Sequence, residues 1–202
     1  DALPIWLLRE YFGAKSVVSK RANVVCPDIL VQHGDRLRFG AHTLEVRETP
    51  GHTDGCVSYV STEPRMAFTG DALLIRGCGR TDFQQGDAEL LYRSVHDQLL
   101  SLPEDTLVYP GHDYQGRTAS SIGEERRLNP RLGQGKTQEE FVRIMRELAL
   151  PYPKQIDVAL PANARCGKLE EPEPATTTPA TTTPATDGGR RLRREDTSGR
   201  RS

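Results

Sequence analysis

An α/β layered domain with its chemistry at the edge of a sheet is what this sequence predicts, on three observations. Short β-prone runs fill the first half of the chain, and apolar residues at helical spacing fill much of the second. Three of the β-rich runs end in a glycine turn followed at once by a residue able to ligate a metal. These are Pro50-Gly51-His52, Thr69-Gly70-Asp71 and Pro110-Gly111-His112. Glycine lets the chain turn sharply and brings backbone close to whatever occupies the turn. Two imidazoles and a carboxylate delivered from strand ends form a mixed nitrogen and oxygen site suited to a transition metal such as iron or zinc. A structural turn with an incidental polar residue explains any one of them; three with compatible ligands favour the metal.

Taken in order, Leu7 to Phe12 reads as the last turns of a helix ending near Gly13, and Ser16 to Ser19 as a short strand. Arg36 to Phe39 and Thr43 to Arg47 flank Gly40-Ala41-His42, which predicts a hairpin. Cys56 to Val60 and Met66 to Thr69 are two further strands, separated by the polar loop from Ser61 to Arg65. Asp87 is an N-cap, and Leu91, Val95, Leu99 and Leu102 share one face of the helix that follows, which Pro103 stops. Thr106 to Tyr109 is the strand leading into Gly111-His112, and Ser121 to Leu128 is a polar helix. Thr137 with Glu140 forms a capping box opening a helix with the apolar face Phe141, Ile144, Met145 and Leu148; Pro151 and Pro153 end it.

Bulk properties exclude several classes of function. The 202 residues suffice for one domain with a core, and 27 basic against 28 acidic residues leave a formal charge of −1. That balance gives no general attraction to nucleic acid or to an anionic membrane. No apolar run is long enough to span a bilayer. The cysteines Cys26, Cys56, Cys78 and Cys166 form no C-x-x-C pair, so free thiols are expected ahead of two disulfides. From about Leu169 the chain turns to Ala-Thr-Thr-Thr-Pro repeats and an arginine cluster, with six basic and six acidic residues between Leu169 and Ser202. So few apolar groups cannot offset the entropy of folding, and a disordered, solvated tail after a domain spanning residues 1–168 is expected.

The glycine turns carry a resemblance. Pro50-Gly51-His52-Thr53, Thr69-Gly70-Asp71-Ala72-Leu73 and Pro110-Gly111-His112-Asp113-Tyr114 resemble successive metal motifs of the metallo-β-lactamase superfamily. The stretch from Arg76 to Gln84 is similar to the glyoxalase II-like branch. Leu128 to Leu132 and Ile156 to Asn163 resemble persulfide dioxygenases. The resemblance covers about Leu7 to Gly167 and implies an αββα sandwich. It further implies one non-haem Fe(II), with zinc the alternative, coupled to O₂ for oxidising glutathione persulfide to sulfite and glutathione. By motif match, His52 and Asp71 are iron ligands, and His112 lies near the metal or at a second site. Arg80 and Tyr114 match positions that bind the glutathione moiety, whose carboxylates an arginine can grip bidentately.

The first metal motif of the superfamily, Thr-His-x-His-x-Asp-His, would supply the remaining iron histidine ahead of the helix at Leu7 to Phe12. Asp1 to Trp6 holds no histidine. The expectation is therefore that the N-terminal part of the fold lies outside this chain and that the chain by itself is poorly active. Two other functions compete: a glyoxalase II-type hydroxyacylglutathione hydrolase, and a non-catalytic glutathione-binding remnant. Members of the family are often dimers, so a homodimer is one expected assembly. A cytoplasmic location is expected, with the mitochondrial matrix as the alternative.

Among the remaining residues, His33, His42 and His96 read as surface or partly exposed histidines. Cys78, between two glycines, is either a reactive thiol or a small residue filling a tight loop. Asp54 and Asp113 either orient a ligand or cap a turn.

Overall fold

The structure, a computed structural model, describes residues 5–83 and 85–165, the side chains of residues 5 and 6 excepted. The predicted tail, Cys166 and Gln84 lie outside the described residues. The elements are α1 (Ile5–Phe12), β1 (Val17–Ser19), a 3₁₀ turn (Lys20–Ala22), β2 (Ile29–Val31), β3 (Arg36–Phe39), β4 (His42–Glu48), β5 (Val57–Thr62) and β6 (Arg65–Gly70). They continue with α2 (Ala88–Gln98), β7 (Leu107–Pro110), β8 (Ser120–Ser121), α3 (Ile122–Leu128), α4 (Gln138–Glu147) and α5 (Ile156–Ala164).

Strands β3 to β8 form one six-stranded sheet in chain order, and β1 and β2 form a separate parallel pair. Every ladder in the large sheet is antiparallel except β6 with β7, which run parallel and are joined through α2. Alternation along the strands sets the two faces. Val60, Ala67 and Val108 stand side by side across β5, β6 and β7 and are buried with Leu91, Val95 and Leu99 of α2. Phe141 and Met145 of α4 close the same core. Each fully buried leucine contributes about 2 kcal/mol of hydrophobic stabilisation. On the opposite face the register aligns Tyr59, Phe68 and Tyr109, and the Phe68 and Tyr109 rings stack with centroids 5.4 Å apart.

The predicted cap of α2 forms: Asp87 accepts from the Leu90 N–H at 3.0 Å. Ser121, not singled out as a cap, accepts from the Glu124 N–H. Both halves of the Thr137–Glu140 capping box are made. Gly40, with φ +56°, turns the β3–β4 hairpin, and His42 falls inside β4 rather than in the turn.

Other expectations need correction. The Ser61–Arg65 loop shrinks to Glu63-Pro64, because β5 runs on to Thr62 and β6 begins at Arg65, the two residues pairing across the ladder. Helix α5 was not expected, since Pro161 lies inside it. Proline lacks an N–H, and this one sits in a short helix with no buried residue, so tertiary burial is not what its ring disturbs. The expectation of free thiols holds at Cys56 and Cys78 but not at Cys26, which is disulfide-bonded. No helix among the described residues is long and apolar enough to cross a membrane.

Candidate metal centre

Parallel pairing of β6 and β7 delivers two of the predicted ligands together. Gly70 pairs with Pro110 at the carboxyl ends of these strands, and the Gly111 N–H donates to the Gly70 carbonyl at 2.8 Å. Asp71 and His112 follow directly and meet: the His112 Nδ1–H donates to Asp71 Oδ1 at 2.6 Å, because a carboxylate can only accept. The loop after β4 brings the third. His52 Nδ1 lies 2.6 Å from the Arg80 carbonyl oxygen, which likewise only accepts, so that nitrogen carries the proton. His52 Nε2 faces Asp71 Oδ2 at 3.6 Å. The predicted trio thus converges around one carboxylate, with one oxygen turned to each imidazole.

The three glycines have different causes. Gly51 has φ +127°, and a Cβ there would stand 2.4 Å from the Leu91 backbone of α2. Gly70 has φ +51° with open space around it, so backbone conformation alone selects it. A Cβ on Gly111 would come 3.0 Å from Asp71 Oδ1. A fourth glycine, which sequence reasoning did not single out, is the tightest against the site: a Cβ on Gly79 would lie 2.6 Å from the Asp71 carbonyl oxygen and 2.8 Å from His52 Nδ1.

The donor set suits a divalent metal. With Nδ1 protonated, a neutral His52 presents a lone pair from Nε2 toward a carboxylate oxygen, and neither atom can donate to the other. Such an acceptor pair, only partly exposed, is relieved by a cation between the two. Asp71 is held for that role by the second imidazole. Among the described residues, no group of three or more His, Cys, Asp or Glu stands in metal-holding geometry.

A cleft of about 700 Å³ opens over these groups, within the range that holds a small organic ligand. His52, Asp71 and His112 line its floor, and Arg131, Tyr152 and Lys154 are among the residues of its walls. Arg80 also lines it but is not free to grip a ligand carboxylate with its fork. Nε and Nη2 hold Asp82 bidentately at 2.7 Å each, Nη1 donates to the Pro151 carbonyl at 3.1 Å, and the guanidinium lies 4.3 Å from the Phe83 ring centroid. The hydrogen bond from Arg80 holds the Asp82 carboxyl below its ordinary range. Tyr114 is 85 % exposed, with its ring parallel to that of His112 at 6.1 Å.

Several open alternatives resolve. Asp113 caps a turn, accepting from the Gln115 and Arg117 N–H groups at 2.9 and 2.6 Å, and these bonds lower its carboxyl. Asp54 neither caps nor orients a ligand: it pairs with Arg21 and ties the 3₁₀ turn to the His52 loop. Cys78 is the small buried residue, at 3 % exposure, and burial pushes its thiol up to about 11, which removes thiolate reactivity at neutral pH. His33 and His42 are exposed as expected; His96 is half-buried, its ring stacked on Tyr92 at 4.1 Å.

Glu125, Asn129 and Arg131, which hold the loop from Arg76 to Arg80, escaped sequence reasoning as site residues. Glu125 sits in the run Glu124-Glu125-Arg126-Arg127, inside a stretch that reads as a polar helix. The run from Leu128 to Leu132 contributed only a family likeness.

Comparison with known proteins identifies the family. The metallo-beta-lactamase superfamily pattern matches residues 6–112, and the chain belongs to that superfamily. Within it, the chain is 57 % identical over 155 residues to the human protein named persulfide dioxygenase ETHE1, mitochondrial, covering 77 % of this chain and 60 % of that one. The crystal structure of ETHE1 from Myxococcus xanthus superposes with a TM-score of 0.76 at 52 % identity, over 81 % of this chain and 71 % of that one. Hydroxyacylglutathione hydrolase GloC of Haemophilus influenzae is 40 % identical over 99 residues, 49 % of this chain. The chain therefore spans about 60 % of the length of the curated persulfide dioxygenases it matches.

Proposed function

We propose that the protein is a persulfide dioxygenase, oxidising glutathione persulfide with O₂ and water to sulfite and glutathione. The observation that carries this reading is the lone pair of His52 Nε2 set against Asp71 Oδ2, in a chain that shares 57 % identity with a persulfide dioxygenase. His52 and Asp71 would hold iron(II), and His112 would orient Asp71 from the other side. Bound iron(II) supplies the redox centre at which the persulfide sulfur and O₂ are coupled.

The chain's own groups do the rest. Arg131 and Lys154, on the cleft wall, favour an anionic thiol. Tyr114 offers a ring face to the peptide part of the ligand.

His33, His42 and His96 do not line the cleft, so this chain supplies one histidine and one aspartate as facing ligands. Two protein ligands hold iron(II) weakly. Reconstituted with iron(II), the chain is expected to take up O₂ with glutathione persulfide far more slowly than the Myxococcus protein under the same conditions. Sulfite formation strictly dependent on O₂ and iron supports the proposal. Anaerobic cleavage of S-lactoylglutathione with zinc, and no sulfite, replaces it with the hydrolase. Binding of glutathione without any metal leaves only a binding remnant.

A further inference from the structure

Five consecutive residues, Arg76 to Arg80, are each held through the main chain, and the series ends on the metal-site histidine. The Arg76 N–H donates to Glu125 Oε2 at 2.9 Å. The Gly77 carbonyl accepts from Asn129 Nδ2 at 3.0 Å, and the Cys78 carbonyl from Arg131 Nη1 at 3.1 Å. The Gly79 N–H donates to the Asp71 carbonyl at 2.7 Å, and the Arg80 carbonyl accepts from His52 Nδ1 at 2.6 Å. Three of these five anchors come from Glu125, Asn129 and Arg131, on and just after α3.

The anchoring groups are themselves fixed. Glu125 and Asn129 are fully buried. The Glu125 carboxylate accepts from the Arg76 N–H and guanidinium, from Ser120 Oγ and from Asn129 Nδ2. Asn129 Oδ1 accepts from the N–H groups of Arg131 and Leu132 at 3.0 and 3.1 Å. A buried carboxylate and a buried amide cost free energy unless fully bonded, and this pair is fully bonded. Arg76 is held at φ +61°, a strained conformation for a side-chain-bearing residue, and its bonds to Glu125 secure it there.

We propose that Glu125, Asn129 and Arg131 are positioning residues for His52: through the loop they hold the Arg80 carbonyl where it selects the Nδ1–H tautomer and aims Nε2 at Asp71. The proposal rests on the metal-site reading for its consequence, but the tautomer itself exists without metal. A ligand histidine depends on the acceptor behind it, and loss of such a partner typically lowers metal affinity about 10- to 100-fold.

The test uses the full chain with ¹⁵N-labelled histidine, read by NMR without metal at a pH where imidazoles are neutral, and then by cobalt(II) titration. In the parent chain His52 is expected as the Nδ1–H tautomer. Asn129→Ala and Arg131→Ala are expected to move His52 to a mixture of tautomers and to weaken cobalt(II) about 10- to 100-fold. Arg131→Lys, which retains a donor for the Cys78 carbonyl, restores both readings. A loss of stability alone would not move the tautomer of a folded variant. If Asn129→Ala does not fold, Arg131→Ala against Arg131→Lys decides, because the Arg131 side chain is only half-buried. An unchanged His52 tautomer in folded Arg131→Ala overturns the proposal. If the parent chain takes no metal while its tautomer responds as expected, the metal reading fails and the positioning holds.

Discussion

Single atoms decide what the site can tolerate. Gly79 touches both proposed ligands, and a methyl group there would sit 2.6 Å from the Asp71 carbonyl oxygen and 2.8 Å from the His52 ring. Neither neighbour can yield, one being backbone and the other the ring whose direction the site requires. Gly79→Ala is therefore expected to weaken metal binding by about a hundredfold, the upper end of what a displaced outer partner costs. At Gly111 the nearest atoms are Asp71 Oδ1 at 3.0 Å and Gly70 backbone at 3.2 and 3.3 Å, a milder overlap. Gly111→Ala is expected to cost less than about tenfold on that scale. Metal titration of the two folded variants orders them; equal losses would mean that the contact with His52 has no special weight.

Helix α2 connects the core to the site. Its Leu91 backbone presses against Gly51, one residue before His52, and the Asp87 N–H donates to the Gly51 carbonyl at 2.8 Å. Asp87 also caps the helix, so Asp87→Ala is expected to lower stability by about 1 kcal/mol. Leu91→Ala, which empties a fully buried position, is expected to cost about 2–5 kcal/mol. Urea unfolding measures both, and an Asp87→Ala loss as large as that of Leu91→Ala would contradict the ordering. This helix was legible in the sequence because its cap and its apolar spacing are local signals. The three glycine turns were legible for the same reason, as were the capping box of α4 and the β3–β4 hairpin. What stayed hidden is made by long-range contact: the bond from Arg80 to the Pro151 carbonyl, and the burial of Glu125 against Arg76. Short strands such as β2 and β8 exist only through their neighbours, and α5 contradicts the local rule about proline.

Across the molecule as a whole, acid stability should fall in two separate steps, and the first belongs to one residue. Burial lowers the His96 imidazole from its ordinary value of 6.5. Tyr92 stacks on the ring, and the Leu132 backbone and Asp97 favour the charged form without offsetting that burial. Protonation would place a charge in that buried setting at a desolvation cost. The unfolded chain thus binds this proton more readily than the folded one, so stability rises with pH through this window. The contribution is fully present above 6.5 and is lost as pH falls through the lower folded value. The second step lies further down. Asp28, Asp82 and Asp113 are held below 3.8 and Glu124 below 4.5, chiefly by hydrogen bonds to the ionised form. These groups are mostly exposed, so solvent screening keeps each contribution small, and it is lost only as pH falls through their depressed values. Urea midpoints of the metal-free chain, followed from about pH 8 down to about pH 5, cover the range in which a histidine changes charge. His96→Gln is expected to remove the decline seen there while leaving the second step in place. A decline of equal slope in the parent chain and in His96→Gln would assign the first step to other groups.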